Sequence, residues 1–192
     1  MTSATPAELH NLESLATRCG VSPEQLLPEL YQSLRRMAHQ QLQGEREGHS
    51  LNTTALVHEA WMKLAASYPE LAFDSERDFL ALSGHLMRRV LIDHARHGSR
   101  LKRGADQVQV TLTDRYEAPI DQTESDQLLA LDLALEKLSE LDPRQVQIVE
   151  LRYFAGFSIS ETAELLGSSP TSVKREWTLA RAWLVAHLQD PP

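Results

Sequence analysis

The residues of this sequence best suited to chemistry are cations on predicted helical faces, and the chemistry they suit is phosphate binding. Near the C-terminus, Lys174, Thr178 and Arg181 are spaced to share one face of a helix. Upstream, the stretch 84–104 holds six cations against one acid, a local balance of +5, which leaves −13 on the rest of a chain that carries −8. A basic stripe within an acidic protein is typical of a nucleic-acid contact. The six cations are Arg88, Arg89, Arg96, Arg100, Lys102 and Arg103.

The C-terminal cations follow a helix with clear start and stop signals. Asp142 is suited to capping the helix and Pro143 to its first position. Gln145, three residues beyond the cap, is the residue type expected in a capping box. Gly156 predicts the end of this helix. Its predicted apolar face consists of Val146, Val149 and Tyr153.

Two further helices follow. Ser158 and Glu161 form a second capping box, and the short helix after it ends at Gly167 with Ile159, Ala163 and Leu166 on one face. Ser169 and Pro170 then start a helix that runs to about Leu188. The apolar stripe of this last helix is Val173, Trp177, Ala180 and Leu184.

A short helix, a tight turn and a longer helix with outward cations are the layout of a helix-turn-helix, whose second helix enters the DNA major groove. The alternative is a three-helix bundle whose cationic face meets only solvent. The two successive caps, the Gly167 turn and the apolar stripe together favour DNA binding.

Composition predicts an all-helical protein without catalytic machinery. With 42% apolar residues among 192, the chain can bury a core, and Gly and Pro are sparse. The lone Cys19 excludes a disulfide framework, and the sequence lacks a membrane-spanning run and a signal peptide, so we expect a cytoplasmic location. Because His58-Glu59 lacks a second His, and His85, His94 and His97 lack a carboxylate or Cys at ligand spacing, we predict no metal, no cofactor and no enzyme activity.

The organisation along the chain predicts two small helical domains. Residues 1–21 are a loosely ordered lead-in, 22–103 a first domain, 104–126 an extended acidic linker and 127–192 a second domain. Helices are predicted from Ser22, from about Asn52 to Ala66, and from Ser75 through the basic stripe, with Pro28 kinking the first. The first helix has Leu27, Leu30, Leu34 and Met37 on one face; the helix after the linker has Leu128, Leu131, Leu135 and Leu138.

Together these residues resemble the extracytoplasmic-function (ECF) sigma factors of bacterial RNA polymerase. The run 141–158, then Glu161-Thr-Ala-Glu-Leu-Leu-Gly and Ser172-Val-Lys-Arg, looks like region four, which reads the minus-thirty-five promoter element. Leu56-Val-His-Glu-Ala-Trp-Met-Lys-Leu resembles the part of region two that docks on the polymerase β′ clamp helices. Leu91-Ile-Asp-His-Ala-Arg resembles the end of the helix that melts and reads the minus-ten element.

The resemblance implies roles for three groups of residues. It implies minus-thirty-five contacts by Ser172, Lys174, Arg175, Thr178 and Arg181, and polymerase docking by Leu56, Val57, Glu59, Ala60 and Lys63. Many relatives have Trp and Tyr where this chain has Leu82 and Gly84, so the expected minus-ten contacts are instead His85, Arg88, Arg89, Arg96, Arg100, Lys102 and Arg103.

One departure from the relatives predicts regulation. Relatives usually have acidic residues before the Leu-Val run, where this chain has Asn52-Thr53-Thr54-Ala55. Phosphorylation of Thr53 or Thr54 by a Ser/Thr kinase would supply the missing charge, although either threonine also suits a helix cap. An anti-sigma factor is the other expected regulator.

Two other functions fit parts of the sequence. A helix-turn-helix regulator that binds DNA without polymerase explains the C-terminal half but not the basic Ile-Asp-His-Ala-Arg helix. An adaptor that binds polymerase without reading DNA explains the acidity but not the recognition helix.

Overall fold

The structure is a computed structural model that describes residues 15–17, 22–42, 51–68, 71–104 and 122–189. Every element with regular structure in these ranges is helical, which confirms the predicted fold class. None of these helices combines the length and apolar character needed to cross a membrane. The elements are α1 (Pro23–Gln41), α2 (Thr53–Ser67), α3 (Glu76–Gly104), α4 (Gln122–Leu141), α5 (Pro143–Val149), a π-helical turn (Glu150–Phe154), α6 (Ile159–Leu165) and α7 (Pro170–Gln189).

The caps predicted from sequence fix the starts of several helices. The Ser22 backbone N–H donates to Gln25 Oε1 at 3.2 Å at the start of α1. At the start of α3, the Asp78 N–H donates to Ser75 Oγ at 3.2 Å. Helix α1 continues through Pro28 as one element.

Two sequence-based boundaries and faces differ from the structure. Leu26, not Leu27, joins the buried face of α1, because positions 26, 30 and 34 repeat every fourth residue whereas Leu27 is 46% exposed. Helix α4 begins at Gln122, so residues 122–126, predicted as linker, are helical. Gly104, the first residue of the predicted linker, is the last residue of α3, and residues 105–121 lie outside the described residues.

Helices α1, α2 and α3 enclose the largest buried cluster, which includes Leu30, Leu56, Phe79 and Leu86. Leu15 and Ala16, from the predicted lead-in, are helical and buried in it. A second cluster joins α4, α5 and α7, and a third joins α5, α6 and α7. We call α1–α3 the N-terminal unit and residues 122–189 the C-terminal unit.

Candidate nucleic-acid interface

Helix α6, the turn after it and helix α7 form the predicted helix-turn-helix. The Ser158 N–H donates to Glu161 Oε2 at 2.8 Å and the Glu161 N–H donates to Ser158 Oγ at 3.2 Å, so the capping box is confirmed. Hydrogen bonding to Ser158 holds the pKa of Glu161 below its usual value. Gly167 adopts φ +56°, a left-handed conformation that suits glycine, and thereby ends the short helix.

Helix α7 has one buried face and one exposed face. Val173 and Ala180 are fully buried and Leu184 is nearly so, which anchors α7 on α5, α6 and α4. Ser172 is half-buried, and its hydroxyl lies 3.0 Å from the hydroxyl of Ser169. The exposed face holds Lys174, Arg175, Thr178 and Arg181.

The helix before the helix-turn-helix differs from the prediction at its end. Asp142 accepts from the backbone N–H groups of Arg144 and Gln145, each at 3.1 Å, as predicted. After Val149, however, the chain makes a π-helical turn, in which the Ala155 N–H donates to Glu150 O at 2.9 Å. The extra residue of a π-turn shifts the buried face by one position. Phe154 is therefore buried, and the predicted core residue Tyr153 is 55% exposed.

The basic stripe lies on α3, but its cations have different environments. Arg89 and Arg96 are exposed, and His85 is half-exposed. Arg88 is only 7% exposed and donates to Asp132 and Glu150 of the C-terminal unit. Arg100, Lys102 and Arg103 belong to α3, but their side chains lie outside the described part of the structure.

Of the five predicted docking residues on α2, three lie in the core and two face outward. Glu59 is exposed, and Lys63, half-exposed, donates to Asp93 of α3. Leu56, Val57 and Ala60 are buried.

The outer face of α2 also presents residues that the sequence-based docking set omitted. His58 is exposed, and Met62 is 54% exposed beside Glu59, one helical turn along. Met62 is a large apolar side chain in solvent. A methionine out of phase with the buried positions of its helix was the available sequence signal.

Asn52, rather than either threonine, caps α2. Asn52 Oδ1 accepts from the Ala55 N–H at 3.0 Å. Thr53 and Thr54 therefore occupy the first two helical positions, where Thr53 is half-buried and Thr54 is exposed. The first turn of α2 contains no acidic residue.

A family model described as ECF sigma factor matches residues 21–190, which is most of the chain. The chain belongs to the ECF sigma factor family. It is therefore a sigma factor of RNA polymerase. Members of this family bind the core enzyme and promoter DNA, and as a family they are not enzymes. Searches among curated proteins and among solved structures returned no match. Within the described residues of this ECF sigma factor, no group of His, Cys, Asp and Glu is arranged to hold a metal ion.

Two carboxylates of this sigma factor were missed by sequence reasoning. Asp132 is 7% exposed and lies between Leu131 and Leu135 on α4, while Glu150 follows Val149 in the π-helical turn. An acid that interrupts an apolar stripe was the available signal, because a buried carboxylate needs a partner. Here the shared partner is Arg88.

Proposed function

We propose that this ECF sigma factor directs promoter-specific initiation through two DNA-binding helices, α7 for the minus-thirty-five element and α3 for the minus-ten element. The observation that carries the proposal is the exposed cationic face of α7, opposite a buried apolar stripe in a helix-turn-helix. A recognition helix needs both faces: one holds it rigidly on the domain, and the other reaches base edges.

The cations on the two helices suit different tasks. Lys174, Arg175 and Arg181 on α7 have the donors that read guanine edges in the major groove. Arg89 and Arg96 on α3 suit phosphates, which position a protein on DNA without reading sequence. A single-stranded stretch also needs a stacking or binding surface for its unpaired bases, and we assign that part to His85, Arg88 and Arg89.

We assign polymerase docking to the outward face of α2. Glu59 and Met62 lie on that face, and Lys63 lies at its border with α3. An apolar side chain surrounded by charged groups is a common arrangement at protein interfaces. The buried members of the predicted set, Leu56 and Val57, act by holding this face in place.

Promoter binding should depend on core polymerase. The balance of −13 outside the basic stripe opposes binding of the free chain to a polyanion. In a gel-shift at moderate salt, we expect specific promoter binding with core enzyme and little without it. Tight, specific binding by the isolated protein would contradict the proposal and favour an independent helix-turn-helix regulator.

We further propose that phosphorylation of Thr54, or secondarily Thr53, strengthens docking. Thr54 is exposed at the second position of α2, where backbone N–H groups and the helix dipole favour an anion. Asn52 already caps the helix, so a phosphate would leave the cap intact. Phosphorylation adds about −1.5 to −2 charges at pH 7. That charge falls where relatives carry acids and this first turn has none.

The phosphorylation proposal predicts a ranked series of polymerase affinities. Phosphorylated protein and Thr54→Glu should bind core enzyme about tenfold more tightly than the unmodified chain. A tenfold change in Kd corresponds to about 1.4 kcal/mol of binding free energy. Thr54→Gln, matched to Glu in size but uncharged, should bind as the unmodified chain does, and Thr53→Glu less strongly than Thr54→Glu. If the unmodified protein binds and transcribes fully and phosphate changes neither, the kinase switch does not exist, and an anti-sigma factor becomes the expected regulator.

A further inference from the structure

The two units of the protein are joined by a buried charge network centred on Arg88. Its guanidinium donates to Asp132 Oδ1 at 2.6 Å and to the Glu150 carboxylate. Arg96 donates to the other oxygen of Asp132 at 3.0 Å, and His85 Nδ1 lies 3.6 Å from Glu150 Oε1. Both acids belong to the C-terminal unit and all three bases to α3. Carboxylates of the C-terminal unit therefore pair with basic side chains of the N-terminal unit.

A close backbone contact lies beside this network. A Cβ added to Gly84 of α3 would come within 3.0 Å of Ala155 Cα and Cβ, closer than real Cβ atoms usually approach. Gln41 bridges the same place, because its Nε2 donates to Gly84 O at 3.3 Å and to Phe154 O at 2.9 Å. Glycine at position 84 therefore permits the contact between the units.

The apolar part of the contact borders an open groove. Leu151, Ala155 and Phe157 share the buried cluster of the N-terminal unit. Next to them, an open groove of about 510 Å³ lies between α3, α4, the π-helical turn and the end of α6, with His85, Arg88 and Glu150 on its wall. The exposed Arg77–Glu164 pair at its edge contributes little.

We propose that Arg88, Asp132, Glu150 and the Gly84–Ala155 contact form a latch that holds the sigma factor in a closed, inactive form. The proposal rests on the assignment of α3 to promoter DNA. Asp132 and Glu150 bind Arg88 and Arg96 in place of DNA phosphates. This face of α3 therefore contacts either the C-terminal unit or DNA, but not both at once. Opening frees Arg88 and Arg96 together.

The spacing of the two promoter elements also requires opening. About 25 base pairs separate them, or about 85 Å of duplex at 3.4 Å per base pair. Helix α3, with 29 residues, is about 44 Å long at 1.5 Å per residue. Helix α3 therefore covers only about half of the distance between the elements, and we infer that the C-terminal unit must leave α3 for α7 to reach the minus-thirty-five element.

Variants that weaken the latch without touching the proposed DNA contacts test the opening step. Asp132→Asn with Glu150→Gln leaves Arg88 buried without a countercharge, a state that proteins avoid. Gly84→Val places a side chain against Ala155 without changing charge. Both should raise the radius of gyration in small-angle scattering and increase promoter-specific transcription at limiting core enzyme about tenfold. The matched control is Glu176→Gln, whose partner Arg144 lies in the same unit, and it should leave the radius of gyration unchanged.

A disulfide that locks the contact provides the opposite test and does not depend on the stability of opened variants. Gly84→Cys with Ala155→Cys, in a Cys19→Ser background, places the two Cβ atoms 3.0 Å apart, so an outward shift of about 0.5–1 Å brings them to the usual disulfide separation of about 3.5–4.5 Å. The oxidised protein should start no transcription, and reduction should restore it. Equal transcription by oxidised and reduced forms overturns the latch, as does an unchanged radius of gyration in folded opening variants. If the reduced protein itself starts no transcription, the proposed function is contradicted. The radius of gyration of the opening variants then tests the latch by itself.

Discussion

Replacing Lys174, Arg175 and Arg181 together by Ala should abolish promoter-selective transcription while the protein stays folded. All three side chains are exposed on the face of α7 opposite Val173 and Ala180, so their loss removes no core contact. A base-reading cation contributes roughly 1–3 kcal/mol of discrimination. Three such losses reduce selective initiation by at least about 100-fold, since 1.4 kcal/mol is a factor of ten.

The measurement for this prediction is run-off transcription with saturating core enzyme on matched and scrambled promoters. Lys137→Ala is the control, because Lys137 is an exposed cation on α4, outside the proposed DNA face. The triple variant should fall to the level of the scrambled promoter, and the control should match the unmodified protein. Unchanged selectivity in the triple variant would show that α7 does not read the promoter.

Trp177→Ala should destabilise the C-terminal unit by about 3 kcal/mol, at the lower end of the range for large aromatic core residues because the indole is half-buried. Trp177 packs against both C-terminal clusters, so its ring joins them. The Arg152 guanidinium lies over the ring, 5.5 Å from its centroid, within cation–π range. Loss of promoter binding would then follow from unfolding rather than from a lost DNA contact.

Chemical denaturation followed by circular dichroism tests this prediction. Leu179→Ala on the same helix is the matched control, because Leu179 is 54% exposed and its loss should cost under about 0.5 kcal/mol. A Trp177→Ala protein of nearly unchanged stability that nonetheless fails to bind promoter DNA would assign Trp177 to DNA contact instead of packing.

Local sequence signals predicted the helix starts well, because a cap depends on a few neighbouring residues. Asp142 and the Ser158–Glu161 pair cap their helices as expected. At Asn52 the same reasoning left two threonines as alternatives, and the backbone geometry selected the residue before them. The choice among adjacent capping residues depends on where the first hydrogen-bonded turn closes, which residue type alone does not determine.

Features that depend on tertiary contacts were not predictable from periodicity. A π-helical turn moved the buried aromatic from Tyr153 to Phe154, because the regular helical repeat does not include an inserted residue. Arg88 fitted a basic stripe, yet its burial depends on Asp132, which is distant in sequence and on another helix. Charge counts identify a surface that binds anions. They do not show which anion occupies it.

The most direct test of the central claim is reconstituted transcription with purified core RNA polymerase and this protein alone. We expect initiation at a defined promoter that core enzyme without the protein does not use, with a start site that moves when the promoter is moved. The phosphorylated protein and the opened latch variant should give more product at limiting core enzyme. Absence of promoter-specific product from all three forms across genomic fragments of the source organism, with specific DNA binding in the absence of polymerase, would contradict a sigma-factor role for this chain.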